Sequence, residues 1–292
     1  LKPELVVFVK YEIWHTLIAT LKKEQIPCYL IAAHFRKNHI YFKKWASWFR
    51  KSLQVFDAIF VQDQASKDLL NTIQIESQIA GDTRIDRVLE NKNAFTAKPI
   101  LADFLQGQEA LLLGSAWQYE IKLLSAFVKE TNFKGKIIIA PHEIDQPNIA
   151  NFRNTLGISS CLYTCYTNAE QNKQVLFIDC IGILKYAYAY SNVAFVGGAF
   201  GKGMHNILEP AVFGKAILIG PKHSRFPEAA ALIERACCFS ITTQLEFNET
   251  LHDLLENLAK REDIKQKLAV FIEENKGAAS LIYAGIASKI TS

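Results

Sequence analysis

The 292-residue sequence lacks the stretches that would assign it quickly to a membrane, a metal or a P-loop. No apolar run approaches the roughly 20 residues that a spanning helix needs. The six cysteines (28, 161, 165, 180, 237 and 238) contain no C-x-x-C pair, and Cys161 and Cys165, four apart, have no histidine nearby to complete a metal shell. Isolated thiols in apolar surroundings read as buried cysteines of a reducing compartment. A signal-peptide pattern is not found, and neither is an initial methionine: the chain goes from Lys2-Pro3-Glu4 straight into strand-like L-V-V-F-V. That opening reads as a trimmed chain or the back part of a longer protein. A formal charge of +4 is too mild to indicate nucleic acid, so the distribution of charge matters more than its sum.

What is present is a folded composition. Half of the residues are hydrophobic (50%) and 21% charged, which with this length allows two domains with full cores. Short runs rich in β-branched and aromatic residues recur at 5–9, 28–32, 58–62, 110–113, 136–140, 175–178, 193–196 and 216–219. Longer stretches with helical spacing follow them, such as Ile13, Leu17, Leu21 and Ile121, Leu124, Val128. Strands buried on both faces and alternating with helices predict an α/β fold with parallel sheets. A polar, strandless segment around 93–108 reads as a linker, which gives a first Rossmann-like domain over 1–92 and a second over 109–262. The two face a cleft, and the last residues, 263–292, form helices that return toward the first domain. Ligands of such sheets sit at the carboxyl ends of the strands.

Several motifs fall at those ends. The strand N-V-A-F-V runs into G-G-A-F-G-K-G-M-H-N-I-L-E-P-A (197–211), with a helix expected to begin near 205–207 because Pro210 is tolerated only in a first turn. Asn206 and Glu209 form N-x-x-E, which is a capping-box arrangement and also a place where N–H groups meet an anion while a carboxylate takes hydroxyls. A sugar nucleotide offers both. The spacing G-G-x-x-G-x-G is not the dinucleotide fingerprint, which disfavours an NAD-linked enzyme, and no G-K-[ST] follows to make a P-loop. Weaker signals are L-G-S-A-W-Q-Y-E with Ser115, I-A-P-H-E with His142, D-C-I-G-I-L, and the cationic turn G-P-K-H-S-R-F-P-E with Lys222, His223 and Arg225.

Taken in order, these segments resemble the 3-deoxy-D-manno-octulosonic acid (Kdo) transferases of lipopolysaccharide assembly, and the likeness spans nearly the whole chain. V-K-Y-E-I-W-H-T-L is similar to the family's T-E-L-W-P-N-L, A-G-D-T-R-I-D to T-G-S-L-K-F-D, L-G-S-A-W-Q-Y-E to T-G-S-T-H-E-x-E, I-A-P-H-E to V-P-R-H-P-E, and D-C-I-G-I-L to D-T-M-G-E-L. The resemblance implies a GT-B fold with an incomplete first domain. It also implies an inverting, metal-independent transfer of Kdo from CMP-Kdo to a lipid A precursor, without a cofactor. By this likeness Asn206 and Glu209 hold CMP, Glu209 through the ribose; Gly198, Gly201 and His205 line the loop; Ser115 lies near the phosphate or the transferred sugar. His142 stands where the family often has arginine, and Gly182 belongs to the same donor side. Glu12, Arg84 and Asp86 fall on family positions of the first domain. Ile183 and His15 depart from the family's acid and proline, and no segment matches its general-base glutamate. The expectation is therefore a chain that binds the donor but transfers poorly. Other GT-B enzymes on UDP-sugars and a non-catalytic donor-binding module are the competing readings.

Residues 36–51, R-K-N-H-I-Y-F-K-K-W-A-S-W-F-R-K, hold six Lys/Arg, no acid and five of Tyr, Phe and Trp. Apolar residues at 41, 42, 45, 48, 49, 53 and 56 keep helical spacing, which predicts a helix lying in an anionic interface or one packed on the core with a basic rim. A nucleic-acid surface fits less well, because the α/β frame offers no familiar module for it. With Glu12, the acceptor or membrane side then comprises Arg36, Lys37, Lys43, Lys44, Trp45, Trp48, Arg50 and Lys51. The implied location is peripheral, on the cytoplasmic face of a bacterial inner membrane.

Overall fold

The computed structural model describes residues 3–201 and 203–290. The chain divides into two compact units, one of residues 1–87 with 274–292 and one of 88–273. Each is built on a parallel sheet, so the α/β class expected from the strand–helix alternation holds.

In the first unit β1 (Val6–Val9), β2 (Cys28–Ala33), β3 (Ala58–Val61) and β4 (Gln78–Ile79) pair in the order β1-β2-β3-β4. Helices α1 (His15–Lys23), α2 (Ser47–Leu53), α3 (Gln64–Asn71) and α4 (Thr83–Asn93) connect or follow them. Ile18 and Leu21 of α1 meet Phe8, Leu30, Leu53, Ile59 and Leu70 in one core, and Lys22 and Lys23 at its last turn suit the helix dipole. At the start of α3, Asp63 accepts the N–H of Ser66 at 2.7 Å, an N-cap.

The second unit continues with α5 (Pro99–Leu105), β5 (Ala110–Ala116), α6 (Gln118–Thr131), β6 (Lys136–Pro141), α7 (Gln146–Leu156), β7 (Ser160–Leu162) and β8 (Val175–Phe177). After them come α8 (Leu184–Ala187), β9 (Val193–Val196), α9 (Leu208–Val212), β10 (Ala216–Ile219), α10 (Pro227–Glu234), β11 (Cys238–Ser240), α11 (Gln244–Glu256) and α12 (Leu258–Asn275). The seven strands lie in the order β11-β10-β9-β5-β6-β8-β7. Helix α13 (Ala278–Ile290) belongs to the first unit, where Ile282 packs with Phe60 and Ala80.

Three details differ from the sequence expectation. Strands β4, β7 and β11 carry no long apolar run; each lies at a sheet edge and pairs on one side alone. Residues 93–108, read as a linker, contain α5, whose Leu101, Phe104 and Leu105 are buried in the same cluster as Ala110, Leu112 and Ile138. Four apolar residues at helical spacing inside a polar stretch are enough to dock it. Residues 36–51 form no continuous helix: a single 3₁₀ turn, Ile40–Phe42, precedes α2. Tyr41 and Phe42 pack on the core that also takes Leu53 and Phe56, and a straight helix over 41–56 would carry those two ends roughly 20 Å apart.

Asp86 has a plain structural task. Its carboxylate accepts the N–H of Gly277 at 2.6 Å and of Ala279 at 2.7 Å, closing the start of α13. An Asp86→Ala change is expected to cost about 0.5–2 kcal/mol, the usual value of a lost cap. Asn at that position should restore much of it, as read by thermal unfolding.

Candidate functional site

Strand order reverses beside β5: β6 lies on one side and β9, reached much later in the chain, on the other. The chain leaves β5 and β9 toward opposite sides of the sheet, and the carboxyl ends of strands at such a reversal are where sheets of this kind take up ligands. The β5 loop is Gly114-Ser115-Ala116-Trp117 and leads into α6; the β9 loop is the glycine segment leading into α9. Their backbones touch. Gly197 donates its N–H to Gly114 at 2.9 Å, and a β-carbon on Gly197 would lie 3.2 Å from the Ser115-following Cα of Ala116 and nearer still to Ser115 itself. Ser115 holds a left-handed backbone at φ 50°, uncommon for a residue with a side chain. Gly198, at φ 95°, faces the ring of His205, where a β-carbon would come within 2.9 Å. The β6 loop joins them through His142 N–H to Ala116 O at 3.0 Å.

Glu120 staples the two loops. Its buried carboxylate accepts the N–H of Gly198 at 2.8 Å and the N–H of Trp117 at 3.2 Å. Burial pushes its pKa up, against the lowering effect of those backbone donors. The glycine loop is thus closed on itself rather than presenting a row of N–H groups. Gly201 and Gly203 donate to Gly198 O at 3.0 and 3.1 Å, and His205 donates to Gly197 O at 3.3 Å.

Over this frame three rings are stacked. The indole of Trp117 lies on His142 at 4.3 Å between centroids and 24° between planes, and His142 meets His205 at 4.6 Å. Trp117 Nε1–H points at His205 Nε2 at 3.4 Å, which makes that nitrogen the acceptor and places the proton of neutral His205 on Nδ1. Burial, and then the neighbouring His142, lower the pKa of His205. His142 is exposed and His205 half-buried.

The helix after the loop starts at Leu208, a residue later than the spacing suggested, and has five residues. Asn206 Oδ1 accepts the N–H of Leu208 at 3.2 Å while its amide approaches Glu209 Oε1 at 3.4 Å. The expected capping box gives way to this tighter turn, because Ile207 takes the N-cap position with no side-chain cap. Glu209 is half-buried; burial raises its pKa, with Asn206 and Lys185 pulling the other way. Lys185 Nζ donates to Asn91 Oδ1 at 3.2 Å and rides over Tyr186. The cationic turn after β10 is tied to the loop through Lys222 N–H to Ala199 O at 2.8 Å, with Lys222 and Arg225 exposed. Gly182, at φ 91°, lies in the loop between β8 and α8, and β8 is two strands from β5. Gly201 is exposed in the middle of the loop. Among the described residues no group of three or more His, Cys, Asp or Glu could hold a metal ion.

Residues 1–87 match the family model described as 3-deoxy-D-manno-octulosonic-acid transferase (kdotransferase). A 3-deoxy-D-manno-octulosonic acid transferase of Rickettsia typhi is 22% identical over 94% of this chain and 61% of its own length. The chain is similar to Kdo transferases over most of its length. A bifunctional glycosyltransferase/methyltransferase of Fusobacterium nucleatum is 24% identical over 94% of this chain and 44% of its own. The chain therefore spans less than two thirds of the length of these relatives. In fold it resembles GT-B enzymes: a putative UDP-N-acetylglucosamine 2-epimerase from Listeria monocytogenes superposes with a TM-score of 0.67 at 16% identity, over 99% of this chain and 75% of that one.

Sequence spacing alone did not single out Trp117 and Glu120, although both stand in the motif L-G-S-A-W-Q-Y-E. The signal available was Glu120 three residues after Trp117, the N3 place of a capping box. On the first unit, Glu12 accepts Trp14 Nε1–H at 2.7 Å, and Arg84 pairs with Asp82 through Nε at 2.9 Å. Arg50 donates to the carbonyls of Tyr41 and Lys43, both at 2.8 Å, so it braces its own loop. Lys37, Lys43, Lys44 and Lys51 are exposed; so are Trp45 and Trp48, at 72% and 61%, and neighbouring Trp14 at 62%.

Proposed function

We propose that this chain is a glycosyltransferase component that binds CMP-Kdo and serves inverting, metal-independent transfer of Kdo to a lipid A precursor. The observation that supports this most is Glu209 beside Asn206 after β9 at the strand-order reversal, a half-buried carboxylate that follows the closed glycine loop. Glu209 takes the ribose hydroxyls of CMP. His142 and His205, with the exposed Lys222 and Arg225 on the adjoining turn, meet the phosphate that carries the leaving charge. In the transfer an acceptor hydroxyl attacks the anomeric carbon of Kdo, the bond to the CMP phosphate breaks, and the hydroxyl proton goes to a base. Ser115 lies on the transferred-sugar side.

Calorimetric titration separates this from a UDP-sugar enzyme. CMP is expected to bind at least tenfold more tightly than UDP, and labelled CMP-Kdo with a lipid A precursor to give little Kdo-lipid product with this chain alone. UDP binding in preference to CMP overturns the donor assignment.

The acceptor is a phosphorylated lipid, which makes the exposed indoles and lysines of the first unit a membrane-facing surface. Among the described residues no helix is long and apolar enough to cross a bilayer, so the contact proposed is peripheral. Burying a large apolar side chain is worth roughly 1.5–3 kcal/mol, so partial insertion of two indoles amounts to about tenfold in partition. The double change Trp45→Ala, Trp48→Ala should lower sedimentation with anionic vesicles by about that factor. Unchanged partition removes the surface from the proposal.

A further inference from the structure

Two cysteines meet at the edge of the second sheet, away from the stacked rings. Strands β7 and β8 run parallel, with Ser160 opposite Val175, Cys161 opposite Leu176 and Leu162 opposite Phe177, a constant offset of 15. The pairing continues past the strands. Tyr163 donates its N–H to Phe177 O at 2.8 Å, and Asp179 accepts the N–H of Thr164 at 3.0 Å and its hydroxyl at 2.5 Å. The next pair at the same offset is Cys165 and Cys180. A turn closed by Tyr166 N–H to Tyr163 O at 3.4 Å keeps Cys165 beside the strand end.

Side chains alternate between the faces of a strand. Leu176, Ile178 and Cys180 join the same apolar cluster as Cys161, Tyr163 and Tyr166. Continued by one step, the alternation brings Cys165 to that side as well. Adjacent strands lie about 4.8 Å apart, inside the roughly 4.4–6.8 Å that the Cα atoms of a disulfide span. Exposure separates this pair from the other thiols: Cys165 is exposed and Cys180 half-buried, while Cys28, Cys161, Cys237 and Cys238 are buried. Burial above all pushes the thiols of Cys28 and Cys161 up to about 11, which leaves them inert. The isolated, buried cysteines expected from the sequence are these four.

We infer that Cys165 and Cys180 form a reversible disulfide that follows the thiol–disulfide balance around the protein. Cys165 gives up its proton and attacks one sulfur of a low-molecular-weight disulfide such as glutathione disulfide, which releases one glutathione thiolate and leaves a mixed disulfide. Cys180 then gives up its proton and attacks Cys165 Sγ. The bond between the two cysteines forms, the bond to glutathione breaks, and the second glutathione leaves as a thiolate. The two protons go to the two thiolates, so the chain's thiols are oxidised and the small disulfide is reduced. Cys180 stands two residues ahead of Gly182 in the loop between β8 and α8, where Ile181 is 91% exposed and Gly182 takes φ 91°. The bond ties that loop to the one after β7, and the loop can then no longer follow a ligand. This effect on the donor rests on the proposed function; the bond itself does not.

The test treats the full chain with glutathione disulfide and maps its peptides without reduction. Trypsin should give residues 154–173 joined to 174–185, and dithiothreitol should separate them. This junction should exceed every other cysteine pairing by about tenfold or more. Cys161 shares the first peptide with Cys165, so variants locate the bond. Cys165→Ser and Cys180→Ser should each abolish it and Cys161→Ala should keep it, with thermal midpoints showing that each variant is folded. If Cys161→Ala fails to fold, fragmentation of the joined peptides assigns the sulfur. A junction that survives Cys165→Ser, or a folded chain that stops at glutathionylated Cys165, overturns the pair. CMP is then titrated into the reduced and the cross-linked chain. The cross-linked form should bind about fivefold more weakly, and by linkage CMP should disfavour the oxidation by the same factor. Equal affinity overturns the regulation and leaves the bond. Absence of CMP binding in both forms refutes the donor proposal, and the regulation with it, while the mapped bond stands.

Discussion

Alanine in place of Glu209 is expected to weaken CMP binding by about a hundredfold while leaving the thermal midpoint close to that of the parent. A carboxylate that accepts two ribose hydroxyls makes two charge-assisted hydrogen bonds, each worth about 1.5 kcal/mol or more, and their joint loss is about two decades in affinity. Within the protein the same carboxylate has one long contact, to Asn206 at 3.4 Å. Burial raises its pKa, so the native state holds its proton at higher pH than the unfolded chain does. Stability from this group therefore falls as pH rises from the unfolded value through the folded one, and above both the buried charge is a cost that the substitution removes. Donor affinity runs the other way: it should decline as pH is lowered through the raised pKa of Glu209, and the alanine variant should lack that limb. Calorimetry of CMP across pH, paired with thermal unfolding, reads both. Equal CMP affinity in the variant would return N-x-x-E to an ordinary helix start.

Glu120→Ala should behave differently, losing stability and donor binding together. Gly198 and Trp117 would each be left with an N–H whose acceptor has gone, at roughly 1–3 kcal/mol for each buried donor. The glycine loop and the turn after β5 would come apart, and with them the alignment of Trp117, His142 and His205. Glutamine should give an intermediate result, since it keeps one acceptor oxygen. The two variants form a contrast: binding alone for Glu209, binding and folding for Glu120. A Glu120→Ala protein that melts like the parent would show that the loops are held by other contacts.

How far the sequence foretold this follows from what each feature depends on. Seven interior strands were legible because burial on both faces forces continuous apolar runs, as in Leu111–Leu113 or Ile137–Ile139, and β1, an edge strand with Val7 and Val9 exposed, was legible from its run of β-branched residues alone. The short edge strands were not, because a residue such as Gln78 needs only one ladder and faces water. Asn206 and Glu209 stand three apart on one turn, and local spacing finds such a pair. Glu120 acts on Gly198 across 78 positions, and no local rule relates the two. The same distance problem hid the stacked rings, since Trp117, His142 and His205 come from three separate strand ends. In the basic segment the composition was plain, but the share of each aromatic was not: Tyr41 and Phe42 serve the core, Trp45 and Trp48 face outward, and a helical wheel places them all on one face.

The stacked indole has an optical consequence. Of the four tryptophans, 14, 45 and 48 belong to the first unit and Trp117 alone to the second. Its emission is set by an imidazole face on one side and a hydrogen bond to another imidazole at its edge, so a change at either histidine alters the light it gives. Changing the other three to phenylalanine leaves a protein whose single emitter sits among the groups proposed to meet the nucleotide. Occupancy and histidine ionisation can then be followed there by intrinsic fluorescence, with no label attached.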